Sequence, residues 1–290
     1  MLRISDQFLD CSLYIYESMQ TAESGTPSGG SGFLVGVPLL ANPAEFQLYV
    51  VTNRHVIEKL RNPVLRLNAV TGGARCLETN ALRWVSNNED DLAVLPLDIA
   101  EENYKLACVP VNAFITEDKV IGLGIDPGDE AFMVGRFISH EGMQKNTPTV
   151  RFGSIAMMAH EPMKNAFGKL QETFLVECRS ISGYSGSPVF IFINPTLPRP
   201  PHWFTPAMPV YRQDVHGPWL LGIDWCHIEN YESVLKEDRE TPCIPKQWVK
   251  SNTGMAGIIP AWRLQILLNM EGLAAQRKQR DDRITAERKA

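Results

Sequence analysis

The sequence predicts an all-β protein, a barrel or a sandwich, finished by one C-terminal helix. Short runs of β-branched and aromatic residues, broken by Gly, Pro and Asn, recur about every ten to twenty residues along the 290-residue chain. Helical periodicity is weak until "PAWRLQILLNMEGLAAQRKQ", where Trp262, Leu264, Ile266, Leu267 and Met270 fall on roughly one face after Pro260. No apolar run reaches the roughly 18 residues that a membrane-spanning helix needs.

The elements follow in order. The N-terminal twenty residues alternate as a strand does. A first group of strands spans about 8–111 and includes "SGFLVGVPLL", "FQLYVVTN", "NPVLRLNAV" and "DLAVLPL". A second group spans about 120–262 and includes "EAFMVGRFI", "TVRFGSIAMM", "TFLVEC", "SPVFIFI", "WLLGIDW" and "MAGIIP". The stretch "NAFITED" between them reads as a linker. The expected units are therefore residues 1–115, 116–262, and a helix with a charged tail at 263–290.

Two segments fit no strand. Residues 194–218 hold seven prolines and several aromatics, so they cannot form an interior strand. Residues 227–254 are polar and irregular. Both are expected to be long loops, and loops of that length are usually functional or disordered.

Composition narrows the function. Hydrophobic residues make up 44% and charged residues 21%, as in a soluble globular protein, and the formal net charge of -5 argues against a nucleic-acid partner. The basic stretch "RKQRDDRITAERKA" is interleaved with acids and reads as a solvated helix end. The N-terminus lacks the pattern of a signal peptide, so a cytoplasmic location is expected. The cysteines, Cys11, Cys76, Cys108, Cys178, Cys226 and Cys243, form no C-x-x-C pair, and buried free thiols are expected rather than disulfides or a metal site. His202, His216 and His227 read as loop or surface residues. No Lys follows "GTPSGGSGF", which argues against a phosphate loop, and a flexible approach to the first strand is expected. No cofactor is expected.

Three strand ends carry the chemistry. "YVVTNRHVIEKL" ends an apolar strand at Thr52-Asn53-Arg54-His55. "NNEDDLAVLPL" leads into a strand with Asp91 at its mouth and Asp90 as the fallback acid. "SGYSGSPVF" sets Ser185 between Gly183 and Gly186. A serine hydroxyl is a weak nucleophile until a positioned base takes its proton. An imidazole can do so near neutral pH and return the proton to a leaving amine. A carboxylate orients the imidazole, and backbone N–H groups meet the developing oxyanion. The expected donors are the amides of Gly183 and Ser185. The chain order His, Asp, Ser and the absence of G-x-S-x-G exclude an α/β-hydrolase.

In succession, "SGFLVG", "TNRHVI", "DLAVLPL", "GYSGSPVF", "LLGIDW" and "GMAGIIP" resemble the signature segments of the chymotrypsin-like (trypsin-fold) serine peptidases, from about residue 30 to 270. The bacterial trypsin-like and glutamyl-endopeptidase-like branches are the most similar. The resemblance implies two packed six-stranded antiparallel β-barrels, the first carrying His55 and Asp91 and the second Ser185 and the oxyanion hole. It implies a serine endopeptidase acting on a protein or peptide substrate. The alternative is a regulatory module that stays latent until a partner docks, with loops 194–218 and 227–254 as the expected docking elements.

The sequence departs from the family at two places. Tyr184 stands where trypsin has the Asp that receives a new N-terminus, which argues against that mode of activation. Asp224 stands where the glutamyl endopeptidases have a His, in Gly222-Ile223-Asp224-Trp225. Asp224, Trp225 and Arg179 are the expected substrate-binding residues. Asp224 favours a basic or neutral residue before the scissile bond. Arg179 either binds an acidic one or pairs with Asp224.

Overall fold

The computed structural model describes residues 3–26, 29–138, 142–165, 167–193, 217–235 and 246–288. The proline-rich segment 194–218 lies outside the described residues except for its last two. The chain is mostly β, with one seven-stranded sheet and one closed barrel.

The first unit contains β1 (Ser12–Tyr16), β2 (Gly30–Pro38), β3 (Phe46–Thr52), β4 (Val64–Asn68), β5 (Ala74–Glu78), β6 (Ala93–Leu97) and the short β7 (Val109–Pro110). Strands β1 to β6 run antiparallel in the order β5-β4-β1-β2-β3-β6, with β7 parallel to β2. A closed six-stranded barrel was the expectation; this sheet stays open between β5 and β6. The cause is legible in β5, "ARCLE", which buries no residue fully and so offers no apolar face to close the seam.

The second unit is a closed barrel. It is built from β8 (Glu130–Gly135), β9 (Thr149–Met157), β12 (Phe174–Glu177), β13 (Pro188–Phe192), β14 (Trp219–Ser233) and β15 (Trp248–Pro260), in the order β12-β15-β14-β13-β8-β9. Between β9 and β12 lies a small hairpin of β10 (Met163–Lys164) and β11 (Leu170–Gln171).

Strand alternation serves three cores at once. Leu34, Val50 and Leu95 fill the first barrel. Met133, Val189, Leu221 and Ile258 fill the second. The alternate residues Phe33, Val35, Tyr49 and Val51 meet Phe132, Phe190, Ile223 and Ile259 in a shared core between the barrels. Each such side chain contributes roughly 1.5–3 kcal/mol by leaving water, so the seam is a structural core.

The helices correct three expectations. The N-terminus is not one strand: α1 (Asp6–Asp10) precedes β1, and its Phe8 packs edge-on against Phe132 and Phe190 at 5.5 and 4.9 Å. It is followed by α2 (Met19–Ser24). The "linker" is not loose: Phe114 and Ile115 are buried, Ile115 N–H donates to the Leu220 carbonyl at 2.9 Å, and α4 (Glu117–Leu123) follows. The C-terminus holds two helices, α5 (Ala261–Leu268) and α6 (Glu271–Glu287). The charged helix α6 docks on the first barrel: Arg277 donates to the Tyr49 hydroxyl and Arg280 to Gln47 Oε1, each at 3.0 Å.

The expected loop at 227–254 is also corrected. Its two ends are the outer halves of β14 and β15, paired from Gly222↔Pro260 to Ser233↔Trp248. This ladder runs on past the barrel, so both faces meet solvent and the residues need no apolar alternation.

Candidate active site

Pairing of Thr52 with Ala93 sets the ends of β3 and β6 side by side. His55 lies three residues beyond one and Asp91 two residues before the other, so register alone brings them together. His55 sits in α3 (Arg54–Ile57), a single turn. Asn53 Nδ2 donates to the Asp91 carbonyl at 3.0 Å and the Arg54 amide to the same oxygen at 3.3 Å.

The two side chains meet twice. His55 Nδ1 lies 2.6 Å from Asp91 Oδ2, and the His55 amide donates to Asp91 Oδ1 at 2.9 Å. Asp91 is wholly buried, whereas the His55 side chain keeps 31% of its surface exposed. Nδ1 faces the carboxylate, so it is the ring nitrogen placed to donate to Asp91. Asp90, the fallback acid, is engaged elsewhere: it accepts from Arg263, Gln171 and Asn87.

The loop of Ser185 is held by backbone groups. The Tyr184 amide donates to the Ile181 carbonyl at 3.2 Å, Ser187 N–H to the Tyr184 carbonyl at 2.8 Å, and Gly186 N–H to the Asp224 carbonyl at 2.8 Å. Gly183 and Gly186 have φ of 96° and 89°, in the left-handed region that glycine favours. Among the described residues the amides of Gly183 and Ser185 have no acceptor.

Residues 30–31 join the two halves. Ser31 N–H donates to the Ser185 carbonyl at 2.9 Å, and its hydroxyl donates to the Gly183 carbonyl at 2.7 Å. A Cβ on Gly30 would lie 2.9 Å from Val56 Cγ1 and 3.2 Å from the Ser185 carbonyl oxygen, so α3 and the serine loop converge there. The expectation of a flexible approach at "GTPSGGSGF" is therefore corrected for its second half, which forms a wall of the site. Ser31 was not singled out in the sequence, although it lies inside the quoted "SGFLVG".

The structure brings His55 and Asp91 into contact and sets the Ser185 loop beside them. Among the described residues the half-buried Ser185 makes no side-chain hydrogen bond, to His55 or to any other group. Tyr184 is buried, hydrogen-bonded to the Thr149 hydroxyl, with the Arg151 guanidinium 4.8 Å from its ring centre.

The three expected substrate-binding residues differ in exposure. Asp224 is fully buried, and burial raises its pKa to about 8, although Ser180 Oγ donates to Oδ2 at 2.9 Å. Among the described residues its Oδ1 has no partner. Trp225 packs into the core between the barrels. Arg179 is exposed, and it forms no ion pair with Asp224, which corrects that expectation. Among the described residues no group of three or more His, Cys, Asp or Glu could hold a metal ion, and no helix is long and apolar enough to cross a membrane.

Two antiparallel β units packed face to face, with a His–Asp pair and a glycine-flanked serine at their seam, define the class as the trypsin-like two-barrel fold. A family profile described as trypsin-like peptidase domain matches residues 30–191, more than half of the chain. The chain belongs to that family, one of serine peptidases. Comparison with curated proteins found no match. Among solved structures, the chain is similar to the protease domain of MamO from Magnetospirillum magneticum in its apo form. The identity is 15% and the TM-score 0.51, covering 89% of this chain and 95% of that one. It is also similar to the serine endoprotease from Yersinia pestis, at 17% identity and a TM-score of 0.47, over 94% of this chain and 68% of that one. At 15% identity the likeness to the MamO protease domain is one of fold.

Proposed function

We propose that the protein is a serine endopeptidase that cleaves a protein substrate through an acyl-enzyme. The carrying observation is the doubly bonded His55–Asp91 pair, with His55 on α3, which converges with the Ser185 loop at Gly30. In this reading His55 takes the Ser185 proton as Oγ attacks the peptide carbonyl. The unpartnered amides of Gly183 and Ser185 receive the oxyanion. His55 then protonates the leaving amine and deprotonates the water that releases the acyl group.

The test is covalent labelling by a fluorophosphonate. The full chain is expected to be labelled and Ser185→Ala to be unlabelled while its circular dichroism is unchanged. Labelling that persists in Ser185→Ala overturns the assignment.

The missing Ser185–His55 hydrogen bond favours a second reading, a module that is latent until a partner docks. The same experiment separates the two, because a latent chain is labelled only after a partner is added.

For specificity, Asp224 is largely uncharged at neutral pH and offers no fixed negative charge, while Arg179 is exposed. This supports a neutral residue, or an acidic one near Arg179, before the scissile bond. A peptide-library profile dominated by Lys or Arg at pH 7 contradicts it.

A further inference from the structure

The bonds that hold Asp91 itself continue into the second half of the chain. The Asp91 amide donates to Gln171 Oε1 at 2.9 Å. Gln171, on β11, is 1% exposed, and its Nε2 donates to Asp90 Oδ1 at 2.9 Å. Asp90 is also buried. It is gripped by Arg263 of α5, with Nε to Oδ1 at 2.8 Å and the terminal nitrogen to Oδ2 at 3.0 Å. Asn87 Nδ2 completes the set on Oδ2 at 2.9 Å.

The chemistry of each partner fixes its orientation. The amide oxygen of Gln171 must face the N–H donor and its nitrogen must face the carboxylate, so the side chain cannot flip without breaking both bonds. Arg263 holds Asp90 with a planar two-point fork, which fixes an angle as well as a distance. Two consecutive acids are thus anchored from outside the first barrel. Asp90 is turned towards α5, and the peptide that follows it presents its N–H to Gln171. That peptide sets the direction from which the Asp91 side chain leaves the backbone, and so where its two oxygens meet His55.

Resting on the triad reading given above, we propose that Gln171 is a positioning residue for Asp91. It is held in turn by the Asp90–Arg263 pair, so that the second half of the chain and the C-terminal helix set the geometry of the His55–Asp91 bond. A buried cross-brace that only stabilises the fold would use similar contacts, and the test must tell the two apart.

The experiment uses the full chain, labelled with 15N-histidine, as wild type, Gln171→Met, Asp91→Ala and the double variant. Two quantities are read: the proton resonance of His55 Nδ1–H and the rate of fluorophosphonate labelling. Wild type is expected to show a downfield Nδ1–H signal that is lost in Asp91→Ala. In Gln171→Met that signal moves upfield or broadens into exchange with water, and labelling slows about 10-fold. On the Asp91→Ala background Gln171→Met changes neither quantity, because residues that act as one unit are not additive.

Wild-type values in Gln171→Met, an undiminished further loss in the double variant, or a wild-type chain without the Asp91-dependent signal each overturn the proposal. If Gln171→Met does not fold, Arg263→Lys carries the test from the outer end. It keeps the charge but loses the fork, and an unchanged Nδ1–H signal there is equally contrary. Failure of the triad reading looks different: labelling survives Ser185→Ala, or Asp91→Ala labels at the wild-type rate, while the resonance still reports on positioning.

Discussion

The two sides of the cleft are held by opposite means. On one side, Asp91 and His55 are fixed through side chains, with Asn53, Gln171 and the carboxylate itself supplying the bonds. On the other, Ser185 is fixed mainly through backbone, by the amides of Tyr184, Gly186 and Ser187 and by the Ser31 amide donating to its carbonyl, with the Ser31 hydroxyl on the Gly183 carbonyl adding one side-chain bond. A side-chain network can be retuned one group at a time. A backbone loop has no such freedom, because each bond depends on dihedral angles that its neighbours share. The acid–base side should therefore lose function in steps, and the serine side should lose its structure at once.

Gly186→Ala should break the backbone side most severely. The added Cβ would overlap the Ser31 carbonyl oxygen and the Thr52 hydroxyl, at a φ of 89°. Strain and overlap together are expected to cost about 3–5 kcal/mol, read as a lower midpoint in urea with an unchanged slope. Labelling at Ser185 should fall with it. A variant within about 1 kcal/mol of wild type would show that this loop adapts as readily as a side-chain network.

Asp224 lies behind the serine loop and connects it to pH. Its backbone carbonyl accepts from Gly186, while its buried carboxyl has a pKa raised from 3.8 to about 8. The folded state therefore holds a proton that the unfolded chain releases near pH 4. The stabilisation is complete below pH 4 and is lost as pH rises towards 8, by at most about 1.4 kcal/mol per pH unit. Asn does not titrate and can still accept from Ser180. The melting temperature of Asp224→Asn relative to wild type should therefore climb between pH 5 and pH 8. A difference that stays constant over that range would mean the carboxyl is not protonated in the fold.

The same contrast explains what was legible in the sequence. His55, Asp91 and Ser185 stood out because each lies in a local motif whose chemistry constrains its neighbours. Gln171 and Arg263 did not, because their roles depend on bonds to Asp91 and Asp90, 80 and 173 positions away. The hairpin arms within 227–254 were hidden because a ladder solvated on both faces carries no alternation to read. The open seam at β5 follows from a burial pattern that composition blurs, since "ARCLE" mixes apolar and charged residues as a half-buried strand would. The Asp224–Arg179 pair was suggested by charge alone. Burial decided otherwise, placing one residue inside and the other in solvent.

The smallest effect should come from Ser187, the second serine of the motif. Its hydroxyl is buried without a partner among the described residues, pressed so closely on Gly135 that a Cβ there would overlap it. The loop depends on the Ser187 backbone, whose amide and carbonyl pair with Tyr184 and Asp224, and these bonds survive truncation of the side chain. Ser187→Ala removes an unsatisfied polar atom and leaves too little space for a cavity. Stability should change by about 0–1 kcal/mol in the favourable direction, with fluorophosphonate labelling at the wild-type rate. A loss of labelling without a loss of stability would move Ser187 from backbone support to the chemistry, and would add a second side chain to a half of the site where the Ser31 hydroxyl on the Gly183 carbonyl is the side-chain bond described above.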